Sequence, residues 1–210
     1  MTVKAHRPVN IDYLFQNSYL ASMARPKAFD KDTALRAAIG VFREHGFEGT
    51  SADMLVGTMG IGRQSLYDTF GDKWRLYCSA VERYAETETY EHRNALRTGL
   101  RGIEGLRAMM DRVVANADQP CLGVGSVCEF GRSRDDLTAI HEAAWQSLAP
   151  ALIARIRQAQ AEGDVSPTLD PDATADFLSA NIAGIRIAAR GGAETTRLSV
   201  MADMALRSLS

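Results

Sequence analysis

The sequence predicts an all-α protein. Apolar residues recur at three- and four-residue spacing through most of the 210 residues, and runs that alternate apolar with polar are few. Only six prolines are spread among seventeen glycines, which leaves long stretches free to be helical. A third observation is a pair of short apolar helices between Thr50 and Trp74, joined by Gly60-Ile61-Gly62. At this length, with 46% hydrophobic residues, the chain can bury the core of one large or two modest helical domains.

Taken in order, residues 1–24 mix Pro8, Asn10, Asn17 and Ser18 with isolated aromatics and show no amphipathic period, so they read as an N-terminal extension. Asp30 caps a helix to about His45, with Ala34, Leu35, Ala38, Val41 and Phe42 inward and Gly46 ending it. Thr50 is the expected N-cap of the next helix, with Asp53 three residues on completing a near capping box. Ala52, Leu55, Val56 and Met59 form its apolar side. Gly60 and Gly62 let the turn take positive φ around Ile61. In the second helix Leu66 and Phe70 point inward, while Arg63, Gln64, Ser65 and Asp68 face out.

Asp72 opens a long helix through Trp74, Leu76, Tyr77, Val81, Tyr84 and Ala85 to about Leu96. Another runs from Gly102 to Ala117, with Ile103, Leu106, Met109, Met110, Val113 and Val114 apolar. Pro120 starts a short helix through Cys121, Val124, Cys128 and Phe130. Ser133 with Asp136 resembles a capping box for a long helix that ends at Gly163, with Pro150 as an expected kink. Asp170-Pro171 is a cap with proline in the first turn, leading to Gly191-Gly192. Leu198, Met201, Ala205 and Leu209 mark a last helix. The final two helices are apolar on more than one side, which predicts a partner surface.

The outward side of the second short helix suits a DNA major groove. Arg63 can read guanine, Gln64 adenine, and Ser65, Tyr67 and Lys73 can hold phosphate oxygens. The run Gly60 to Tyr67, followed by Phe70 and Lys73, closely resembles the DNA-binding domain of TetR-family transcriptional repressors. Upstream, Ala34, Ala37, Phe42, His45, Gly46, Phe47 and Thr50 extend the resemblance, which covers Arg25 to Tyr77. It implies a helix-turn-helix domain over 25–76 and a ligand-binding and dimerisation domain over 77–210, the latter matching the family in length and helical pattern only.

The DNA-binding set so implied is Thr50, Ser51, Gly62, Arg63, Gln64, Ser65, Tyr67, Asp68 and Lys73. Asp68 departs from the family, where His, Tyr or Asn is common. Its carboxylate either accepts from cytosine or orients Arg63 or Lys73. Family members begin with a short basic segment, which Met23 to Lys27 resembles, so residues 1–24 are either an upstream extension or an arm using Lys4, His6 and Arg7. The resemblance also implies a homodimer through the last two helices, a palindromic operator and a small-molecule effector.

Net charge is −2 overall, about +2 over residues 1–77 and −4 over the remainder, so the positive end lies where DNA is expected. No apolar run approaches the ~18 residues of a membrane span, and the N-terminus lacks a secretory h-region, which predicts a soluble cytoplasmic protein. Three cysteines, Cys78, Cys121 and Cys128, argue against a disulfide framework. The last two would lie ~10.5 Å apart along one helix, too far to pair.

His141-Glu142-Ala143-Ala144-Trp145 has Trp where a zinc protease needs its second histidine, and Gly123-Val124-Gly125 lacks the strand and third glycine of a dinucleotide loop. No nucleophile set, metal set or cofactor motif stands out. Met109, Met110, Phe130, Trp145 and Phe177 are candidate lining of a ligand cavity, or simple core. Cys121, at a helix start where unpaired N–H groups favour a thiolate, resembles in context the cysteine of TetR-like electrophile sensors and completes the candidate ligand set. A helical small-molecule binder without DNA function and an all-α enzyme using the same cavity are the alternatives.

Overall fold

The computed structural model describes residues 29–210, and the expected extension or arm over 1–24 and the basic segment Met23 to Lys27 lie outside that range. Among the described residues all regular structure is helical. The helices are α1 (Lys31–His45), α2 (Ala52–Met59), α3 (Arg63–Phe70), α4 (Lys73–Leu96), α5 (Gly102–Ala115), α6 (Leu122–Phe130), α7 (Asp135–Ala161), α8 (Pro171–Arg190) and α9 (Thr195–Arg207).

Helices α1 to α3 close over a small core of Leu35, Ala38, Phe42, Leu55, Met59, Leu66 and Phe70, all buried. The cap of α2 differs from expectation. Ser51, not Thr50, is the N-cap and accepts from the Met54 amide at 3.1 Å. Thr50 is buried, its hydroxyl donating to the Gly46 carbonyl at 2.6 Å. Gly60 ends α2 in the left-handed region at φ 67°, where a side chain would cost ~1 kcal/mol or more. Gly62 sits at φ −72°, so only one of the two turn glycines needs positive φ.

Helix α4 begins at the Asp72 carboxylate, which accepts from the Arg75 amide at 2.8 Å. It packs on α1 at one end and on α5, α6 and α7 further along. The expected boundary at 76/77 therefore falls inside one helix, and Lys31–Ser210 forms a single unit. The main core joins α4, α5, α7, α8 and α9 around Leu106, Met109, Met110, Leu152, Ile156, Leu178 and Ile185. Gly102 permits the close approach of α5 to α7, since a Cβ there would run into the backbone of Arg155 and Ala159.

Two boundary details depart from the sequence reading. Cys121 is the N-cap of α6 rather than a residue within it, and its sulfur accepts from the Val124 amide at 3.5 Å. Arg134, not Ser133, precedes α7, because Ser133 turns back to the Phe130 carbonyl and Asp136 receives the Trp74 indole N–H at 2.6 Å. Pro150 lies within α7 without ending it. Pro150 and Gln146 are both exposed, so the carbonyl that loses its helical partner faces water. Asp170 caps α8 as expected, accepting from the Ala173 amide. No helix among the described residues is long and apolar enough to cross a membrane.

Candidate DNA interface and ligand cavity

Helix α3 is anchored by buried Leu66 and Phe70, and this registers its opposite side toward solvent. Arg63, Gln64, Tyr67 and Asp68 are exposed and Ser65 is half-buried. Arg63 pairs with Asp53 of α2 at 2.5 Å, both side chains well exposed. Such a surface pair is worth ~0–1 kcal/mol, less than the ~1–3 kcal/mol of a bidentate guanine contact, so Arg63 can leave Asp53 for a base. Gln64 donates to Asp68 at 2.7 Å. Asp68 thus accepts from Gln64 and, of its two expected roles, the orienting of Arg63 or Lys73 is not the one seen, since Arg63 turns to Asp53 and Lys73 to Phe47. The Lys73 ammonium, at the start of α4, lies 4.2 Å from the centroid of Phe47. Thr50, buried with its hydroxyl spent, offers no side-chain contact to a phosphate, whereas Ser51 is exposed.

Helices α4, α6, α7 and α8 border an open cavity of about 370 Å³, within the range of small-molecule sites. Trp145, Leu148, Val124, Val127 and Ile182 form apolar walls, and Tyr84, Glu88, His92, His141 and Arg186 bring polar groups. Of the six expected ligand residues it is lined by Cys121 and Trp145. Met109 and Met110 are fully buried in the main core, because α5 packs that face against α7 and α9. Phe130 sits in an aromatic cluster with Phe47, Trp74 and Tyr77, and Phe177 projects from α8 over a separate surface depression beside Leu209. These four are corrections to the expected set.

The polar floor of the cavity is a charge cluster that sequence reasoning missed. Arg112 grips Glu88 through two hydrogen bonds, at 2.9 and 3.2 Å, and Arg186 approaches the same carboxylate at 3.5 Å. Burial works to raise the Glu88 carboxyl, but the Arg112 bond and the charges of Arg112, His92 and Arg186 outweigh it and hold it below its ordinary value. Burial, with Arg112 nearby, pushes His92 down to about 4, so its imidazole is neutral near pH 7. Tyr84 is raised by burial and by Cys121 and Glu88 beside it. The signal was present: Tyr77, Val81, Tyr84, Glu88 and His92 continue one inward stripe of α4 at helical spacing.

Ser126 and His141 lie 2.9 Å apart, yet Ser126 is only 1% exposed and donates its proton to the Gly123 carbonyl at 2.8 Å. A serine so placed cannot reach a substrate. Cys78, Cys121 and Cys128 are all free thiols. Burial and the neighbouring Asp136 push Cys78 up to about 12.

Helix α6 touches both regions. Its first residues border the cavity and its last reach the loop between α1 and α2. There Glu129 accepts the Glu48 amide at 2.8 Å and the Phe47 amide at 3.0 Å. Arg43 of α1 donates to the Pro120 carbonyl at 2.7 Å, and Arg190 of α8 to the Glu44 carbonyl at 3.0 Å. A second cleft, about 490 Å³, lies between α1, α6 and the end of α8, and shares Cys121, Val124, Cys128, Arg186 and Ile187 with the first.

Known proteins resemble this arrangement along most of its length. Residues 34–77 match the family described as bacterial regulatory proteins, tetR family, and residues 102–203 match the tetracyclin repressor-like C-terminal domain. The uncharacterised HTH-type transcriptional regulator YezE of Bacillus subtilis (strain 168) is 33% identical over 193 residues, 88% of this chain and 98% of its own. The HTH-type transcriptional repressor ComR of Escherichia coli (strain K12) is 30% identical, over 89% of this chain and 91% of its own. Among solved structures, a cysteine mutant of the TetR-family regulator CifR complexed with 26-base-pair operator DNA superposes with a TM-score of 0.76 at 28% identity, covering 89% of this chain and all of that one.

Proposed function

The chain belongs to the TetR family of transcriptional regulators, and from that premise we propose that it is a repressor that binds an inverted-repeat operator as a homodimer and leaves it when a small molecule enters the α4–α6–α7–α8 cavity. The observation that carries the DNA reading is the exposed polar side of α3, held in register by Leu66 and Phe70. Arg63 and Gln64 read bases. Ser51, Ser65, Tyr67 and Lys73, with the amides after Gly62, hold phosphates. The CifR complex with operator DNA supports this for a chain of similar fold. Such a protein works in the cytoplasm and performs no reaction.

The homodimer is supported by α8 and α9, whose Phe177, Ile187, Val200 and Met204 are exposed at 42%, 53%, 56% and 65%. Packed against a second copy, the two pairs form a four-helix interface, and the partnered reader helices address two half-sites. An effector shifts the dimer off DNA only by binding the incompetent spacing more tightly, and inverting a 1:99 equilibrium takes a ~10⁴-fold preference. Helix α6 carries that preference to the reader, through Glu129 and Phe130.

Cys121 gives the effector a second form. Its thiol borders both clefts and caps α6, so conjugate addition to a quinone forms a C–S bond as the ring C=C π bond breaks toward the carbonyl oxygen, which takes the thiol proton, and the resulting hydroquinone thioether alters that cap. Mobility-shift assays with the promoter DNA beside the coding region test the whole reading. A specific complex on an inverted repeat, lost when either half-site is scrambled and released by effector, is expected. Binding indifferent to sequence at every salt concentration sinks it.

A further inference from the structure

The charge cluster in the cavity is unbalanced. Glu88 is satisfied by Arg112, whose Nη2 and Nη1 reach Oε1 and Oε2. Among the described residues Arg186 has no carboxylate of its own: its Nη2 is 3.5 Å from the shared Oε2, and its Nη1 donates to the Asn116 carbonyl. Even so, Arg186 is only 6% exposed while bordering the cavity. His92, 7% exposed, adds no charge, and among the described residues its Nδ1 has no hydrogen-bond partner. Two guanidinium groups therefore share one carboxylate next to an apolar space, which leaves one buried positive charge unbalanced.

We propose that the effector carries a single carboxylate on an apolar body, the carboxylate binding Arg186 beside His92 and the body lying against Trp145, Leu148 and Ile182. This rests on the reading of the cavity as the effector site. A planar carboxylate matches the guanidinium fork, where a hydroxyl or amide oxygen satisfies one donor at most and brings no charge. One net positive charge calls for a monoanion. A cation is repelled by both arginines, and a dianion leaves surplus negative charge beside Glu88. The apolar walls exclude a ligand that is polar throughout.

The test is calorimetric titration of the full chain with two matched pairs, octanoate against octanamide and cinnamate against cinnamamide. At least one acid is expected to bind roughly ten- to a hundredfold more tightly than its amide, the span of a hydrogen bond to a charged group. Arg186→Gln abolishes that preference, and Arg157→Gln, on the surface of α7, keeps it. If Arg186→Gln does not fold, Arg186→Lys and the wild-type comparison decide. Amides that bind as well as acids, or a folded Arg186→Gln that still prefers acids, overturn the carboxylate and leave the cavity as an effector site. Binding of none of the four probes, by calorimetry or thermal shift, removes the cavity reading and this inference together.

Discussion

Replacing Glu129 by alanine removes both acceptors that α6 offers to the loop between α1 and α2. The bonds at 2.8 and 3.0 Å go to backbone amides near the surface, so water replaces the lost carboxylate and no buried donor is orphaned. Hydrogen bonds to a charged acceptor contribute ~1.5–3 kcal/mol each where protected. At an exposed site, sharing one side chain, the pair is worth about 1–2 kcal/mol together. For a chain of this size 1 kcal/mol moves Tm by about 2–4 °C, so Glu129→Ala should melt about 2–8 °C lower. The fold survives, because Phe130 still packs on Phe47 and Trp74 with ring centroids 5.7 and 5.2 Å away. Thermal denaturation measures the drop, and hydrogen exchange at Phe47 and Glu48 localises it. Glu129→Gln, which keeps one acceptor, should fall between. A Tm within ~1 °C of wild type, with unchanged exchange at both amides, refutes the tie as a link between sensor and reader.

Arg63→Ala and Gln64→Ala should each relax base preference by ~1–3 kcal/mol, whereas Lys73→Ala weakens all sequences alike, in a mobility-shift series against single-base operator variants. Three variants that bind the operator like wild type would remove α3 from the interface. Stability should fall on acidification. His92 is held at about 4 against an ordinary 6.5, so the unfolded chain binds the extra proton between those values and up to about 3 kcal/mol is lost as pH drops from above 6.5 to 4. Glu88, whose carboxyl is lowered, adds to the loss only as pH falls below its ordinary value of 4.5. A urea midpoint unchanged from pH 7 to 5 counts against a buried neutral His92, and His92→Gln should flatten the upper part of the profile. Val200→Asp with Met204→Asp should convert a dimer to monomers in sedimentation, and a wild-type chain that is monomeric at micromolar concentration contradicts the α8–α9 interface.

Much of this was legible because helix signals are local. Asp72 and Asp170 cap where expected since a carboxylate needs only the next turn's amides. The same locality misled at Thr50 and Ser133. Each has the right residue type, but the Gly46 and Phe130 carbonyls claimed their hydroxyls first. For Asp136 a distant indole competed, and nothing in the neighbouring sequence announces Trp74.

By itself the sequence determined the all-α class, the order of the helices and the face that α3 turns to solvent, because a 3.6-residue period, caps and glycine breaks are readable within a few residues. Tertiary structure alone decided which apolar residues are core and which are wall. Met109 and Met110 have the same local pattern as a cavity lining, but α7 and α9 close over them. It also decided the charge cluster, which brings Arg112 and Arg186 to Glu88 across separations of 24 and 98 residues. Burial and pairing depend on how helices pack, and a one-dimensional pattern records only that a side chain faces inward, not what it meets there.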